Sequence, residues 1–396
     1  MNLTEGRGRL TSRTPIQVMH LNPAFKLDGP GRGILALMRY LPRDRVRPEA
    51  CSLSVADPTM ERHLRDQGIQ HTNLGLGGIW DLRSLPRMVR LLKARRIDIL
   101  HTHLTRADWI GRIAARLAGT PVVLSTIRNL NREVYRAECG RVATVLAPLL
   151  DRMTGRWADA LIAVSEDVKA WLIDEGYPRG KIHCIPNAVD LDGLKGLTFD
   201  SRLKSSLLGA PEDAPVVGTV ALFKEQKGHR YLVEAAAQIS RKYPAARFLL
   251  VGSGPTYSIV REQVRTLNLE SAFVFVGQTE DVIPYLKVMD VFVLPSLWEG
   301  MPRALMEAMA SCIPVVGTNV SGIRDLIEDG VTGRLVPARD SGSLAEAVMN
   351  LLDHRMRARQ MAEAGRRLVL ERHDAATSAV THAQFYEELL DSRGRT

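Results

Sequence analysis

The chain has 396 residues, of which 45% are hydrophobic and 24% are charged, and its net charge is +9. This composition predicts a globular protein with room for two ordinary domains, and it excludes a disordered or fibrous chain. No apolar run reaches the roughly 18 residues that a membrane span requires.

The first 14 residues are polar and include Arg7, Arg9 and Arg13, so they lack the apolar core of a secretory signal. The four cysteines are scattered, and none forms a Cys-x-x-Cys pair of the kind that holds structural zinc. Both features favour a reducing compartment. We therefore expect a cytoplasmic protein.

Positive charge is concentrated in the first part of the chain. Residues 1–150 carry 24 Lys and Arg against 12 Asp and Glu, whereas residues 151–396 carry 29 against 32. A basic region suits an anionic membrane or a polyanionic substrate, and it is equally compatible with an ordinary solvated surface. Nucleic acid is not expected, because no zinc finger or aromatic-rich RNA-binding motif accompanies the charge.

Apolar runs of strand length alternate with helical patterns, which predicts parallel sheets covered by helices on both faces. The pattern occurs twice, with a boundary near residue 195. Strands of the first half are predicted at Ile16–His20, Ala50–Val55, Ile97–His101, Val122–Ser125 and Ala160–Val164. Strands of the second half are predicted at Val216–Val220, Arg247–Val251, Phe273–Val276, Val291–Leu294 and Val315–Gly317.

A glycine-rich loop with Gly29 and Gly31 follows the first predicted strand and opens a helix. It does not continue as a dinucleotide-binding fingerprint, which argues against an NAD-dependent dehydrogenase. Further on, alternation along a strand places His101 and His103 on one face. Two such histidines are compatible with a metal or with a structural role, but no third ligand is apparent nearby.

The segment from Arg128 to Trp157 interleaves apolar residues with arginines, namely Arg132, Arg136, Arg141, Arg152 and Arg156. Such a helix can rest on anionic lipid. It is equally compatible with an interior helix that has one wet basic face, and we favour this second interpretation slightly.

Two turns in the second half have the composition of ligand-binding loops. Lys227 and Gly228 precede a predicted helix, so the lysine ammonium can face a diphosphate, and Lys224 lies close by in sequence. Gly252 to Gly254 closes the next strand and allows close backbone approach to a ligand. Each turn is also compatible with an ordinary surface loop.

Glu299 and Glu307 are the most informative residues of the chain. A buried strand ends at Leu294, and Pro302 suits the first turn of the helix that follows. One carboxylate therefore lies in the loop and the other lies about one turn into the helix. Together with the amides of the helix N-terminus, they predict a site for hydroxyl groups beside an anion.

This element, with the downstream segment from Pro314 to Pro337, resembles the Glu-x7-Glu signature of family 4 glycosyltransferases. The resemblance covers nearly the whole chain. It implies the GT-B fold, in which two Rossmann-like domains face each other across a cleft. It also implies that the last helix, at residues 374–396, crosses back to the N-terminal domain of residues 1–195, and that residues 196–373 bind the nucleotide-sugar.

The resemblance further implies roles for single residues. Glu299 would bind donor-sugar hydroxyls, and Glu307 would bind the ribose. Lys227 would bind the donor phosphate, the amides of Arg303 and Ala304 would face the diphosphate or the sugar, and Gly254 is a further candidate donor-binding residue. His103 would face the cleft as a candidate catalytic residue together with Glu299, with Gly29 and Gly31 near the donor phosphate and acceptor.

Two positions depart from the family pattern. Leu222 stands where relatives usually have an arginine, a charge that Lys224 could supply. Arg128 stands where many relatives have a histidine near the reacting sugar, so we include it among the candidate catalytic residues. For Arg303, a solvent-facing position is the alternative.

We therefore expect a retaining glycosyltransferase that uses a UDP- or GDP-sugar and a glycan or lipid-linked acceptor, in polysaccharide or lipopolysaccharide synthesis. No cofactor is expected, and no metal, because no Asp-x-Asp pair stands in a suitable loop. The inner face of the plasma membrane is a compatible location. The alternatives are a sugar-nucleotide epimerase on the same fold and a non-catalytic basic binding protein.

Overall fold

The computed structural model describes residues 14–75, 83–129, 140–192, 209, 211 and 213–394. Two parallel sheets, each covered by helices, form two domains. The first sheet has the strand order β3-β2-β1-β4-β5-β6-β7. Its strands are β1 (Ile16–Asn22), β2 (Val46–Ser52), β3 (Gln70–Asn73), β4 (Ile99–His103), β5 (Val122–Ile127), β6 (Ala160–Ala163) and β7 (Ile182–Cys184).

The second sheet has the order β10-β9-β8-β11-β12-β13. Its strands are β8 (Val216–Val220), β9 (Arg247–Val251), β10 (Phe273–Gly277), β11 (Val291–Leu294), β12 (Val315–Thr318) and β13 (Arg334–Val336). The predicted fold class, two Rossmann-like domains across a cleft, is confirmed. The predicted boundary near residue 195 lies outside the described residues.

Helices connect successive strands in both domains. Those before residue 192 are α1 (Gly29–Tyr40), α2 (Pro58–Asp66), α3 (Ser84–Arg95), α4 (Thr105–Ala118), α5 (Gly140–Gly155) and α6 (Glu166–Asp174). Those after residue 213 are α7 (His229–Lys242), α8 (Tyr257–Thr266), α9 (Ile283–Lys287), α10 (Arg303–Ala310), α11 (Ser341–Asp353), α12 (Arg355–Arg372) and α13 (Ala375–Arg393). Among the described residues, no helix is both long enough and apolar enough to span a bilayer.

The last helix, α13, belongs to the first domain. Its Ala379, Ala383 and Tyr386 are fully buried and pack in one core with Val18 of β1 and Leu124 of β5. The predicted return of the C-terminal helix is therefore confirmed. It completes the hydrophobic core beneath the first sheet.

The chain returns to the first domain where its two interdomain segments are hydrogen-bonded to each other. The Val189 amide donates to the His373 carbonyl at 2.9 Å, and the Ala375 amide donates to the Val189 carbonyl at 3.0 Å. Asp374 then caps α13 by accepting a hydrogen bond from the Thr377 amide at 3.0 Å. The two chain segments that join the domains are thus bonded to each other.

Candidate functional site

A cavity of about 1090 Å³ lies between the two domains. Parallel strands of both sheets end at it, which is where α/β folds bind ligands. The first domain contributes Asp28, Arg32 and Arg128 to its lining, and the second contributes Lys227 and Glu299. The predicted site residues Gly29, Lys224, Arg303, Ala304 and Glu307 also line it.

Glu299 is held by two hydrogen bonds in the loop between β11 and α10. Its Oε1 lies 2.5 Å from the Lys227 Nζ and accepts a hydrogen bond from the Ser296 hydroxyl at 2.6 Å. The Glu299 side chain is only 5% exposed, and that of Lys227 is 18% exposed. An ion pair this buried and this short fixes a carboxylate and an ammonium side by side at the cavity wall.

Gly228 allows Lys227 to reach Glu299. Its φ is +62°, and a Cβ at this position would overlap with the Pro295 carbonyl oxygen. Only glycine therefore permits the one-turn helix Glu225–Lys227 to pack so closely on the loop after β11. Gln226 strengthens the contact by donating to the Trp298 carbonyl at 2.9 Å.

Glu307 lies one turn into α10 and lines the same cavity. Burial raises the pKa of its carboxyl group, and nearby Arg303 opposes this shift. The Arg303 Nη2 is 3.9 Å from the Glu307 Oε1. Arg303 is 9% exposed and donates to the Ala188 carbonyl, so the alternative of a solvent-facing arginine is wrong.

The start of α10 has amides available for a ligand. Pro302 is the N-cap residue, and its side chain makes no capping hydrogen bond. The first helical residues, Arg303 and Ala304, line the cavity. An anion placed there would meet the positive end of the helix dipole.

The predicted contact of Gly254 with a donor stays a prediction. Gly252 and Ser253 line the cavity, whereas Gly254 is packed against the backbone of Phe223. The φ of Gly254 is +154°, a conformation that L side chains rarely adopt, so its role is to turn the chain after β9.

The glycine-rich loop forms the N-terminus of α1. Asp28 is the N-cap residue and accepts a hydrogen bond from the Gly31 amide at 2.9 Å. Gly29 lines the cavity, whereas Gly31 is packed against the Lys26 carbonyl and shapes the turn. Of the two glycines that the resemblance brought near a ligand, only Gly29 is at the cavity wall.

Arg128 sits at the cavity wall after β5. Its Nη1 donates to the Asn187 Oδ1 at 2.8 Å, and its Nη2 lies 3.4 Å from the His103 Nδ1. Burial and the nearby Arg303 lower the pKa of Arg128 to about 10. Within the described part of the chain, the Arg128 Nε is buried without a hydrogen-bond partner.

The expectation that His103 faces the cleft is wrong. His103 is fully buried behind Arg128 and does not line the cavity. Its Nε2 is 3.1 Å from the His20 Nδ1. Because Arg128 can only donate, it fixes the His103 Nδ1 as an acceptor, and the His103 Nε2 then donates to His20. His103 therefore orients Arg128 instead of touching a ligand.

The expectation that no third potential metal ligand lies near His101 and His103 is also wrong. His20 of β1 brings one ring nitrogen within 4.8 Å of theirs. In the structure, however, both nitrogens of His101 have partners, the Tyr386 hydroxyl at 2.8 Å and the Thr126 hydroxyl at 2.7 Å. Hydrogen bonds account for both ring nitrogens of His101, whereas the His20 Nε2 is buried without a partner among the described residues. The absence of a metal remains an expectation.

Asn187 lines the cavity but is not among the site residues predicted from the sequence. Its Oδ1 accepts from Arg128, and its Nδ2 donates to the Met301 carbonyl at 3.0 Å. It therefore joins the loop after β5 to the loop that carries Glu299. The only signal in the sequence was Pro186-Asn187 directly after the short strand β7.

The two domains also touch on the other side of the cavity. The Arg32 Nη2 donates to the Thr279 carbonyl at 2.9 Å and to the Glu280 carbonyl at 2.7 Å. Arg62 forms an exposed ion pair with Glu280 at 2.9 Å. Near Glu299, Gly300 packs so tightly on the Arg128 carbonyl that a Cβ would overlap with it.

Two family models match the chain. The model described as Glycosyltransferase Family 4 matches residues 27–192, and the model described as Glycosyl transferases group 1 matches residues 214–354. Each family model covers one of the two domains. The Escherichia coli UDP-Gal:alpha-D-GlcNAc-diphosphoundecaprenol alpha-1,3-galactosyltransferase is 32% identical over 282 residues, which are 70% of this chain and 72% of that protein.

A more distant relative is the 2-deoxystreptamine glucosyltransferase of Streptomyces kanamyceticus, 27% identical over 80% of this chain and 84% of that protein. Among solved structures, Anabaena HepE in complex with UDP and glucose superposes with a TM-score of 0.83 at 20% identity, covering 94% of this chain and 99% of HepE. Sucrose-phosphate synthase from Thermosynechococcus elongatus superposes with a TM-score of 0.79 at 24% identity, covering 95% of this chain and all of that chain. At these identities, the solved structures establish the fold alone.

Proposed function

Because the chain belongs to the group 1, family 4 glycosyltransferases, we propose that it transfers a sugar from a UDP-sugar to a hydroxyl group of a lipid-linked glycan. The Lys227–Glu299 pair at 2.5 Å, beside the N-terminus of α10, is the observation that carries this proposal. It supplies a cation and amides for a diphosphate next to a carboxylate for hydroxyls. The Escherichia coli relative uses a UDP-sugar and a diphospholipid-linked acceptor.

The second domain would hold the donor. Lys227 and the amides of Arg303 and Ala304 would bind the diphosphate, and Lys224 would supply the charge that Leu222 lacks. Glu299 would accept hydrogen bonds from the sugar hydroxyls and Glu307 from the ribose hydroxyls. Gly252 and Ser253 allow the nucleotide to approach the backbone after β9.

We place the chemistry between Glu299 and Arg128. The acceptor hydroxyl oxygen would bond to the anomeric carbon on the face from which the diphosphate leaves, so the configuration is retained. As the bond from that carbon to the diphosphate breaks, the hydroxyl proton would pass to the departing phosphate oxygen. Lys227 and the helix amides would stabilise the charge that develops there, without a metal or a protein base.

The proposed reaction belongs to the cytoplasmic side of the plasma membrane, in the synthesis of a cell-surface polysaccharide. Sugar nucleotides and lipid-linked intermediates meet at such a surface. The capsular polysaccharide glycosyltransferase CapM of Staphylococcus aureus is among the relatives, 27% identical over 277 residues.

Nucleotide binding is the first test. We expect UDP to raise the melting temperature through preferential binding to the native protein, and GDP and ADP to have smaller effects. Glu307→Ala should lower the apparent affinity for UDP at least tenfold, because the ribose hydroxyls lose the buried carboxylate that would accept their hydrogen bonds. Glu346→Ala, on the exposed side of α11, is the matched control and should respond like the wild type.

Products then distinguish transfer from epimerisation. Incubation with UDP-hexoses and a GlcNAc-diphospholipid should release UDP and extend the lipid by one sugar. An epimerised UDP-sugar without UDP release, or a wild-type UDP response in Glu307→Ala, would contradict the proposal.

A further inference from the structure

Helix α5 has polar residues on its buried face and apolar residues on its exposed face. Asp151 and Thr154 are 2% exposed, whereas Leu149 and Met153 are 56% and 54% exposed. Trp157, just beyond the helix, is 46% exposed. The exposed face also carries Arg152 and Arg156, as the interpretation with one wet basic face expects, and the apolar side chains lie among these arginines. Arg132 and Arg136 lie outside the described residues.

A buried ion pair fixes the orientation of α5. The Asp151 Oδ1 accepts a hydrogen bond from the Arg112 Nη1 at 2.8 Å, and the Asp151 Oδ2 accepts one from the Tyr177 hydroxyl at 3.0 Å. The Arg112 side chain is fully buried. Rotating α5 to hide its apolar side chains would break this pair and take Asp151 away from the buried Arg112 guanidinium, which also faces Asp108 at 4.0 Å.

The exposed residues Leu149, Met153 and Trp157 form an apolar stripe. Leu149 and Met153 are four residues apart and lie one above the other on α5, about 6 Å apart along its axis at 1.5 Å per residue, and Trp157 follows in the turn after the helix. Leu149 and Met153 also line the interdomain cavity, together with Trp109 of α4. The apolar stripe therefore begins inside the cavity and continues to the protein surface.

The cavity that the apolar stripe enters has two arginines at its wall. Arg128 and Arg303 both line it, and their guanidinium groups approach each other near Gly33. A ligand that contacts both these arginines and the apolar stripe would need an anionic group and a hydrocarbon chain.

We propose that the apolar stripe holds the hydrocarbon chain of a phosphate-linked lipid acceptor, whose phosphate lies at Arg128. This inference rests on the proposed function and specifies the class of its acceptor. The chain would leave the cavity past Leu149 and Met153 and end over Trp157. Burying hydrocarbon against these side chains removes apolar surface of both partners from water.

Chain-length dependence of binding tests the proposal without any sugar. Titration calorimetry with dodecyl phosphate and with butyl phosphate, both kept monomeric, should show dodecyl phosphate binding at least about 100-fold more tightly, because each buried methylene strengthens binding roughly fourfold. The double variant Met153→Gln/Trp157→Gln should reduce this preference to less than about tenfold. Met356→Gln, which replaces a 74% exposed methionine on α12, is the matched control and should keep the wild-type preference.

Arg128→Gln separates the head group from the chain. It should weaken the binding of both alkyl phosphates by a similar factor, whereas the double variant should weaken the binding of dodecyl phosphate only. Equal binding of the two phosphates by the wild type, or an equal loss of preference in Met356→Gln, would overturn the proposal. So would an alkyl-phosphate preference that survives intact in the double variant.

Two further outcomes would assign the apolar stripe to another occupant and overturn the proposal. One is binding to phosphatidylcholine vesicles that the double variant abolishes, with no chain-length preference for alkyl phosphates. The other is a wild-type dimer in sedimentation that the double variant dissociates. The stabilisation by UDP, measured in the same samples, distinguishes failure of this inference from failure of the proposed function. If UDP binds normally and the chain-length effect is missing, this inference is rejected, whereas the proposed donor site is not affected.

Discussion

A carboxylate that is almost fully buried needs a positive partner, and Glu299 has one in Lys227. The pair is short, and Ser296 holds the same oxygen, so neither side chain has to reorganise before a ligand enters. In an enclosed site such fixed charges act more strongly than they would in water. The pair is therefore suited to stabilise a reaction more than to stabilise the fold.

Glu299→Gln tests this view. The amide keeps the size of the side chain but removes the charge that faces Lys227 and the sugar. We expect kcat for sugar transfer to fall at least about 100-fold, in the range found for loss of one preorganised electrostatic contact. A radiolabelled transfer assay measures it, and Glu346→Gln serves as a control for the loss of a surface carboxylate. Transfer at the wild-type rate by Glu299→Gln would show that the carboxylate is dispensable.

At the scale of structural elements, the main feature is that loops from the two domains meet at Gly300. Asn187 ties Arg128 to the Met301 carbonyl, and Gly300 packs on the Arg128 carbonyl. No side chain fits between these loops. The contact thus sets the spacing between the first domain and the loop that carries Glu299.

Gly300→Ala should force the loops apart and lower kcat/KM at least about 100-fold, because small displacements of reacting groups cost large factors in rate. Steady-state kinetics with saturating acceptor measures the effect. Gly180→Ala is the control, since a Cβ there meets no atom within 4 Å. If Gly300→Ala and Gly180→Ala have the same kcat/KM, the loop contact does not position the site.

The buried histidines predict how stability depends on pH. Burial lowers the pKa of His20 to about 3 and that of His382 to about 4, and it holds the pKa of His101 and His103 well below 6.5. The unfolded chain therefore binds more protons below pH 6.5 than the native protein does. Stability is fully present above about pH 6.5 and decreases as the pH falls toward 4, by about 1.4 kcal/mol per pH unit for each histidine.

The melting temperature should accordingly fall between pH 7 and pH 5, and it should fall less in His382→Gln, which has one proton fewer to take up. His354→Gln, at the surface between α11 and α12, should follow the wild type. Differential scanning calorimetry at fixed ionic strength measures both. An unchanged pH dependence in His382→Gln would show that His382 is not part of the linkage.

At the scale of the whole molecule, most of the architecture could be predicted from hydrophobic patterns. Strands β8, β9 and β11 have the predicted bounds. The three strands that sequence reasoning missed, β3, β7 and β13, all lie at sheet edges. Edge strands have one neighbour and need less apolar surface, so the polar sequence Gln-His-Thr-Asn of β3 has no strand signal.

The site was predicted where its residues are close in sequence, as in the Glu299 to Glu307 element. It was missed or misplaced where distant segments meet. His20 and His103 are 83 residues apart, and Asn187 and Arg128 are 59 residues apart. Only the folded sheet shows that Arg128 covers His103 and removes it from the cavity wall.

The place of α13 has a consequence for folding during synthesis. The first domain is translated first, but its core lacks Ala379, Ala383 and Tyr386 until these residues of α13 have been made. The second domain, by contrast, has all of its strands and helices α7 to α12 once residue 372 has been added. On the ribosome, the domain that begins the chain must therefore be the later of the two to complete its core, after its neighbour has emerged.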